Sequence, residues 1–349
     1  MSSDSSVIEG EYLRDILDQP CALDSTFSKL EVSKDLLQLA DRLQKGSLKS
    51  VVLTGMGSSF HALHPLHLEL IQAGFHSVMV ESSELIHYQA GLFNRQNLIV
   101  AVSQSGRSAE VVRLLKSNRG RSPIIGVTNT AGSPLAKNAA ASVVTDAGQE
   151  FSVSCKTYLT SLLALRWLAE VMCDRDLVRI RRELRSSSAC AGEYLAGWKT
   201  HIQQLGERLS KVRHLFLVGR GPSLAAVGTG ALIVKEADHF PAEGMSSAAF
   251  RHGPFEMVGS ESFVGVFAGE KKTRELNRSL FQDIRERQGE AEWIAEDSEF
   301  SPCILPAAPR SVVPVLEILP VQMITLALAA LVGREAGRFT FCSKVTTKE

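Results

Sequence analysis

Val51-Val-Leu-Thr-Gly55-Met-Gly57-Ser-Ser59 is a hydrophobic strand that runs into a Gly-x-Gly-x-Ser turn. Leu215-Phe-Leu-Val-Gly219-Arg-Gly221-Pro-Ser223 repeats the pattern in the second half of the chain. A matched strand-turn-helix echo is a signal of internal duplication. Outward from the first copy, Ser50 to Gly55, Ser77 to Glu81, Asn97 to Ser103 and Pro123 to Thr128 read as strands, and Phe60 to Ala73 and Arg107 to Lys116 as helices. Strands that alternate with helices of this length need crossover connections, so the expected sheets are parallel. Glu11 to Leu43 shows helical spacing with Pro20 as a break. The charged run Asp174 to Arg185 reads as a helical connector between two halves.

The 349 residues suggest about two domains. Lys+Arg and Asp+Glu are both 38, so no whole-chain field calls for nucleic acid or an anionic membrane, and any anion must be held locally. Cys21, Cys155, Cys173, Cys190, Cys303 and Cys342 form no CxxC pair, which argues against a zinc module or a disulfide framework and fits a reducing cytoplasm. Met1 to Gly10 lacks the apolar stretch of a secretory signal. Val312 to Val332 is apolar but is interrupted by Pro314, Glu317, Pro320 and Gln322, so it reads as a buried helix.

Three segments can carry chemistry. The Gly55 turn could open a dinucleotide site, but the third glycine of that motif is Phe60 here and Leu224 in the second copy; a nicotinamide-linked oxidoreductase stays open as a rival. Ser103-Gln104-Ser105-Gly106-Arg107-Ser108 follows an apolar strand and precedes a helical pattern, so hydroxyls, an amide and free backbone donors converge at a helix N-terminus. One serine would suffice as an ordinary cap; three hydroxyls with Gly106 favour a cradle for a phosphoryl group. On the pattern Thr229 to Phe240, Leu232, Ile233 and Val234 imply partial burial of Glu236, which would raise its pKa toward that of a useful base. A solvated Lys235–Glu236 pair is the alternative.

With these segments in order, the sequence resembles the sugar isomerase (SIS) domain proteins, specifically those with two tandem SIS domains, such as the isomerase half of glucosamine-6-phosphate synthase and the SIS-type glucosamine-6-phosphate deaminases. The resemblance rests on the lead-in Leu13-Arg-Asp-Ile-Leu-Asp-Gln-Pro20, Gly57-Ser58-Ser59, Ser103-Gln104-Ser105-Gly106 with Ser108, and Glu150-Phe-Ser-Val153-Ser154. It continues through Lys235-Glu236, Phe250-Arg-His252-Gly-Pro254 and Ser343-Lys344-Val-Thr346. It implies two three-layer α/β/α domains with parallel, flavodoxin-like sheets. Their expected bounds are a helical lead-in at 1–45, SIS domains at 46–190 and 191–335, and a tail at 336–349 that covers the site.

By the same resemblance, Ser103, Gln104, Ser105 and Ser108 grip a sugar phosphate. Gly57, Ser58, Ser59, Val153 and Ser154 hold the sugar. Glu236 is the base that moves a proton between C1 and C2. His252, donated by a neighbouring subunit, opens the ring and implies a homodimer with shared sites, and Lys344 meets the open-chain carbonyl. No metal or cofactor is implied. Two positions depart from the pattern: where the synthase has a lysine and a glutamate before the base, this chain has Ile233 and Thr229. The glutaminase half is not expected in this chain. The implied activity is isomerisation of a hexose or amino-hexose 6-phosphate, with or without ammonia release. The rival is a non-catalytic sugar-phosphate sensor built on the same pocket.

Overall fold

A computed structural model describes residues 5–341 and 343–347. Cys342 lies outside the described residues, and among the described residues the other five cysteines form no disulfide. The chain divides into two compact units. A five-stranded unit comprises Cys21–Gln149, Lys156–Ser186 and Cys342–Glu349; a four-stranded unit comprises Met1–Pro20, Glu150–Cys155 and Ser187–Phe341. The helical lead-in is thus divided at Pro20, and the short segment Glu150–Cys155 belongs to a different unit from both of its chain neighbours.

The five-stranded unit is built on β1 (Ser50–Gly55), β2 (His76–Glu81), β3 (Asn97–Val102), β4 (Ile124–Thr128) and β5 (Ala141–Val144). All pairings are parallel, in the order β2-β1-β3-β4-β5. Val51, Val52 and Leu53 in β1 and every residue of β3 are buried, as expected of strands covered on both faces. Val51 stands opposite Ser77 on one side and Leu98 on the other, so β1 and β3 are neighbours at the place where the strand order reverses. In such a sheet the ligand crevice opens at the carboxyl ends of these two strands.

The four-stranded unit repeats the arrangement with β6 (His214–Gly219), β7 (Ala242–Ser246), β8 (Ser262–Phe267) and β9 (Glu290–Ile294), all parallel in the order β7-β6-β8-β9. Its core packs Phe216, Phe250, Val264, Val266 and Trp293 together. The apolar helix Leu319–Val332 packs against two other helices of this unit, Trp198–Leu209 and Leu224–Asp238. By length and composition Val313–Val332 could cross a membrane, yet 83% of it is buried inside this protein. That burial places it as a core helix. A short helix, Val313–Leu316, precedes it, and the interruption falls at Glu317 and Ile318, where the sequence inserts a carboxylate into the apolar run.

Polar groups in this core are paired in a ladder. Gln19 and Gln322, both fully buried, exchange amide hydrogen bonds of 2.8 and 3.0 Å, and the Tyr12 hydroxyl lies 3.3 Å from Thr325 Oγ1. A buried amide left alone costs about 1–3 kcal/mol, so the reciprocal pair fixes the register of the lead-in on the core helix. Glu317 Oε1 accepts from Ser223 Oγ at 2.6 Å, while Oε2 has no partner. Burial pushes this carboxyl up to about 7; the Ser223 hydroxyl opposes the shift and Glu270 adds to it.

A carboxyl whose native pKa is raised keeps its proton longer in the folded than in the unfolded chain. The stability it contributes is therefore present below the usual Glu range and is lost as pH rises toward and through 7. Glu317→Gln removes this dependence. The melting temperature of the wild type, relative to that of the variant, is expected to fall between pH 5 and pH 8; a pH-independent difference would exclude a titrating Glu317.

Several element boundaries differ from the sequence reading. Pro20 does not separate two helices: Glu11–Leu17 and Gln19–Lys29 part at Asp18, and Pro20 lies in the first turn of the second helix, where a missing N–H costs nothing. The stretch expected as one helix from Phe60 to Ala73 is two, Ser58–His61 and His64–Gln72, with Pro65 in the first turn of the latter. The helix carrying Glu236 spans Leu224–Asp238, starting five residues earlier than Thr229.

Candidate active site

At the carboxyl end of β3 the chain turns through Ser103–Ser108 into the helix Ala109–Asn118. Gly106 has φ +60°, and a Cβ built on it would stand 2.2 Å from Ser133 Oγ and 2.8 Å from Thr128 Oγ1, so only glycine fits. The turn is pinned from outside by main-chain bonds. Asn129 N–H donates to Gln104 O at 3.0 Å, Thr128 Oγ1 donates to the same carbonyl at 3.1 Å, and Leu135 N–H donates to Gly106 O at 3.0 Å. Ser103 Oγ accepts from Gly106 N–H at 3.2 Å, Ser105 Oγ from Arg107 N–H at 3.3 Å, and Ser108 Oγ caps the helix through Val111 N–H. The three serines therefore line one bend at a helix N-terminus, where hydroxyls and backbone donors favour an anion.

The neighbouring turn after β1 completes this crevice. Gly57 has φ +52°, and Ser58, which is buried, and Ser59, partly so, open the helix Ser58–His61. Gly55 is tightly enclosed, its place for a Cβ lying 3.0 Å from Phe60 N. On the following helix, burial and then His61 and His67 lower the pKa of His64 to about 4. The C-terminal tail belongs to the same unit: Ala109 N–H donates to Thr346 O at 3.1 Å, and the half-buried Lys344 lies two residues before. The first free amide of the cradle helix is thus taken by the tail. The bond between Ala109 and Thr346 gives the tail an anchor that sequence spacing did not reveal.

The remaining expected residues fall in the four-stranded unit. Glu236 is half-buried near the C-terminal end of Leu224–Asp238, about 18 Å along the helix axis from its first residue at ~1.5 Å per residue. Two contacts fix that end. Arg334 donates to Asp238 O at 2.9 Å, placing a cation on the negative end of the helix, and Gly337 N–H donates to Ala237 O at 3.4 Å. Asp238 itself is buried with both carboxyl oxygens unpartnered; burial, offset in part by Arg334, pushes its pKa well up. Thr229 and Ile233 on the same helix are fully buried.

His252 is exposed on the loop after the helix Ser247–Arg251, its N–H bonded to Ala249 O at 2.9 Å, and Gly253 follows with φ +133°. Val153 is fully buried and Ser154 half-buried in the segment Glu150–Cys155. The structure thus brings together Gly57, Ser58, Ser59, Ser103, Gln104, Ser105, Ser108 and Lys344 in one unit. Val153, Ser154, Glu236 and His252 belong to the other. Among the described residues, no group of three His, Cys, Asp or Glu side chains is placed to hold a metal ion.

Residues 47–171 match the SIS domain family. The glutamine–fructose-6-phosphate aminotransferase of Pyrococcus horikoshii is 28% identical over 349 residues, covering 97% of this chain and 57% of that protein. The chain thus spans a little over half the length of the curated relatives it matches. The C-terminal domain of the corresponding Francisella tularensis enzyme superposes with a TM-score of 0.82 at 22% identity, covering 95% of this chain and 98% of that one. Glucosamine-6-phosphate deaminase of Thermotoga maritima superposes with a TM-score of 0.79 at 18% identity, covering 97% and 100%. At these identities the superpositions establish the fold.

Proposed function

With an SIS domain at residues 47–171 as the premise, we propose that the chain is a phosphosugar isomerase acting on a hexose or amino-hexose 6-phosphate. The observation that carries this reading is the Ser103–Ser108 bend, a glycine-dependent, hydroxyl-lined cradle at the strand-order reversal of a parallel sheet. A dianionic phosphate seated there anchors one end of the sugar, and Gly57, Ser58, Ser59, Val153 and Ser154 hold its hydroxyls.

Glu236 then takes the proton from C2 of the open-chain aldose. The electron pair moves into an enediol, and return of the proton at C1 gives the ketose. With an amine at C2 the intermediate is an enolamine, protonation at C1 leaves a C2 imine, and water releases ammonia and the ketose. Lys344 polarises the carbonyl or meets it as an imine, and His252, donated by a second copy of the chain, assists ring opening. The relatives support this substrate class, since those named above act on fructose 6-phosphate or glucosamine 6-phosphate by name.

A direct test incubates purified protein with fructose 6-phosphate and with glucosamine 6-phosphate and follows aldose, ketose and ammonia by mass spectrometry. Interconversion of the hexose phosphates supports the isomerase, and ammonia from the amino sugar identifies the deaminating branch. Tight binding of either compound without conversion would instead make the protein a sugar-phosphate sensor. The buried Thr229 and Ile233, standing where charges surround the base in the family pattern, give that reading its footing.

A further inference from the structure

The segment Glu150–Cys155 carries Val153 and Ser154 and is chain-linked at both ends to the five-stranded unit, yet it packs with the four-stranded unit that holds Glu236. One buried carboxylate ties it to the lead-in helix, and a second holds it in shape. Asp15, on the lead-in helix Glu11–Leu17, accepts the Phe151 N–H at 2.6 Å through Oδ2, and Glu150 accepts the Cys155 N–H at 2.9 Å through Oε1, which closes the segment on itself. Neither bond involves Val153 or Ser154. A short hydrogen bond from a main-chain N–H to a buried carboxylate is among the stronger ones in a protein interior.

The same helix reaches the base helix. Tyr12, one turn before Asp15, is fully buried against Gly337, where a Cβ would come within 2.7 Å of the ring, and Gly337 bonds the end of the helix that carries Glu236. The surroundings of Tyr12 show this proximity: burial and the nearby Cys155, Asp238 and Glu236 push its phenol well up, with only the Thr325 hydroxyl opposing. One face of a single helix thus borders both the sugar segment and the end of the base helix.

Resting on the functional reading above, we infer that Asp15 is a positioning residue that anchors the sugar-binding segment Glu150–Cys155 to the unit bearing the proton-transfer base. It touches no substrate. Its work is to hold the Phe151 main chain, and through it Val153 and Ser154, in register with Glu236. The phosphate cradle, built from other residues in the other unit, is independent of it.

The test compares wild type, Asp15→Ala and Asp15→Asn for binding of fructose 6-phosphate and of inorganic phosphate, with melting temperatures recorded alongside. Loss of a hydrogen bond to a charged acceptor predicts an affinity for fructose 6-phosphate about tenfold weaker in Asp15→Ala, with phosphate affinity unchanged within about twofold. Asp15→Asn, which keeps an oxygen acceptor, is expected to fall between the two. If Asp15→Ala fails to fold, Asp15→Asn alone decides: its sugar affinity must fall while its phosphate affinity holds.

Equal sugar affinity in all three proteins, or parallel loss of sugar and phosphate binding, would overturn the assignment. Wild-type protein that binds phosphate with no added affinity for the hexose phosphate would sink the functional reading itself, and the anchor with it.

Discussion

Glu236→Gln is expected to bind fructose 6-phosphate as tightly as the wild type within a few fold while turning it over about 10²- to 10⁴-fold more slowly, the usual contribution of a positioned general base. Glutamine matches glutamate in shape and keeps one oxygen, so the half-buried side chain has no new clash to relieve and the helix Leu224–Asp238 has no reason to move. Its caps, Arg334 on Asp238 O and Gly337 on Ala237 O, do not involve the substituted group. What is removed is the capacity to accept a proton from carbon. Substrate-trapping or isotope exchange at C2 in deuterated water isolates that step, because exchange requires abstraction even where net conversion is slow. Undiminished exchange in Glu236→Gln would assign the base to another group.

The buried Thr229 and Ile233 sharpen this prediction. Residues seven and three positions before Glu236, two turns and one turn back, share or adjoin its face of the helix, and here they carry no charge and are fully enclosed. Neither of these two helix positions supplies a charge beside Glu236. Glu236→Asp shortens the side chain by one methylene and withdraws the carboxylate from the reacting carbon. It is expected to lose activity as well, but less than Glu236→Gln, since the chemistry is retained and only the reach suffers.

Strands β1, β3, β4 and β6 were readable in the sequence because they are continuous apolar runs, and the Ser103–Ser108 bend was readable because hydroxyls and a glycine crowd into six residues. Other features left no local trace. Strand β5 is only four residues, with alternating burial, and nothing in Ala141-Ser-Val-Val marks it as sheet. The division of the lead-in at Pro20 and the placement of Glu150–Cys155 with the four-stranded unit depend on partners distant in sequence: Gln322 for Gln19 and Asp15 for Phe151. Pro20 misled because a proline breaks a helix interior but suits a first turn, and the sequence pattern alone does not say which it occupies. The anchoring of the tail through Thr346 O is a main-chain contact, to which side-chain identity gives no clue.

Gly106→Ala is expected to cost the protein at least about a hundredfold in affinity for phosphate and for hexose phosphates, together with a drop of several degrees in melting temperature. The first cost is conformational: an alanine at φ +60° pays roughly 1–2 kcal/mol for the left-handed region. The second is steric, since the new methyl would lie 2.2 Å from Ser133 Oγ, 2.7 Å from Ser133 Cβ and 2.8 Å from Thr128 Oγ1. Neither neighbour can simply rotate away. Ser133 Oγ caps the helix Pro134–Asn138 through Ala136 N–H at 3.2 Å, and Thr128 Oγ1 is bonded to Gln104 O inside the cradle. Relief must come from moving the bend, which also strains the Leu135 N–H to Gly106 O bond and carries Ser103, Ser105 and Ser108 with it. Replacing Ser133 by glycine in the Gly106→Ala background removes the nearest obstacle at the expense of the cap, about 1 kcal/mol. The double variant should therefore regain part of the phosphate affinity without regaining the full melting temperature. If Gly106→Ala alone bound phosphate like the wild type, the bend at Ser103–Ser108 would not be the anion site, and the assignment of a phosphorylated substrate to this chain would lose its physical basis.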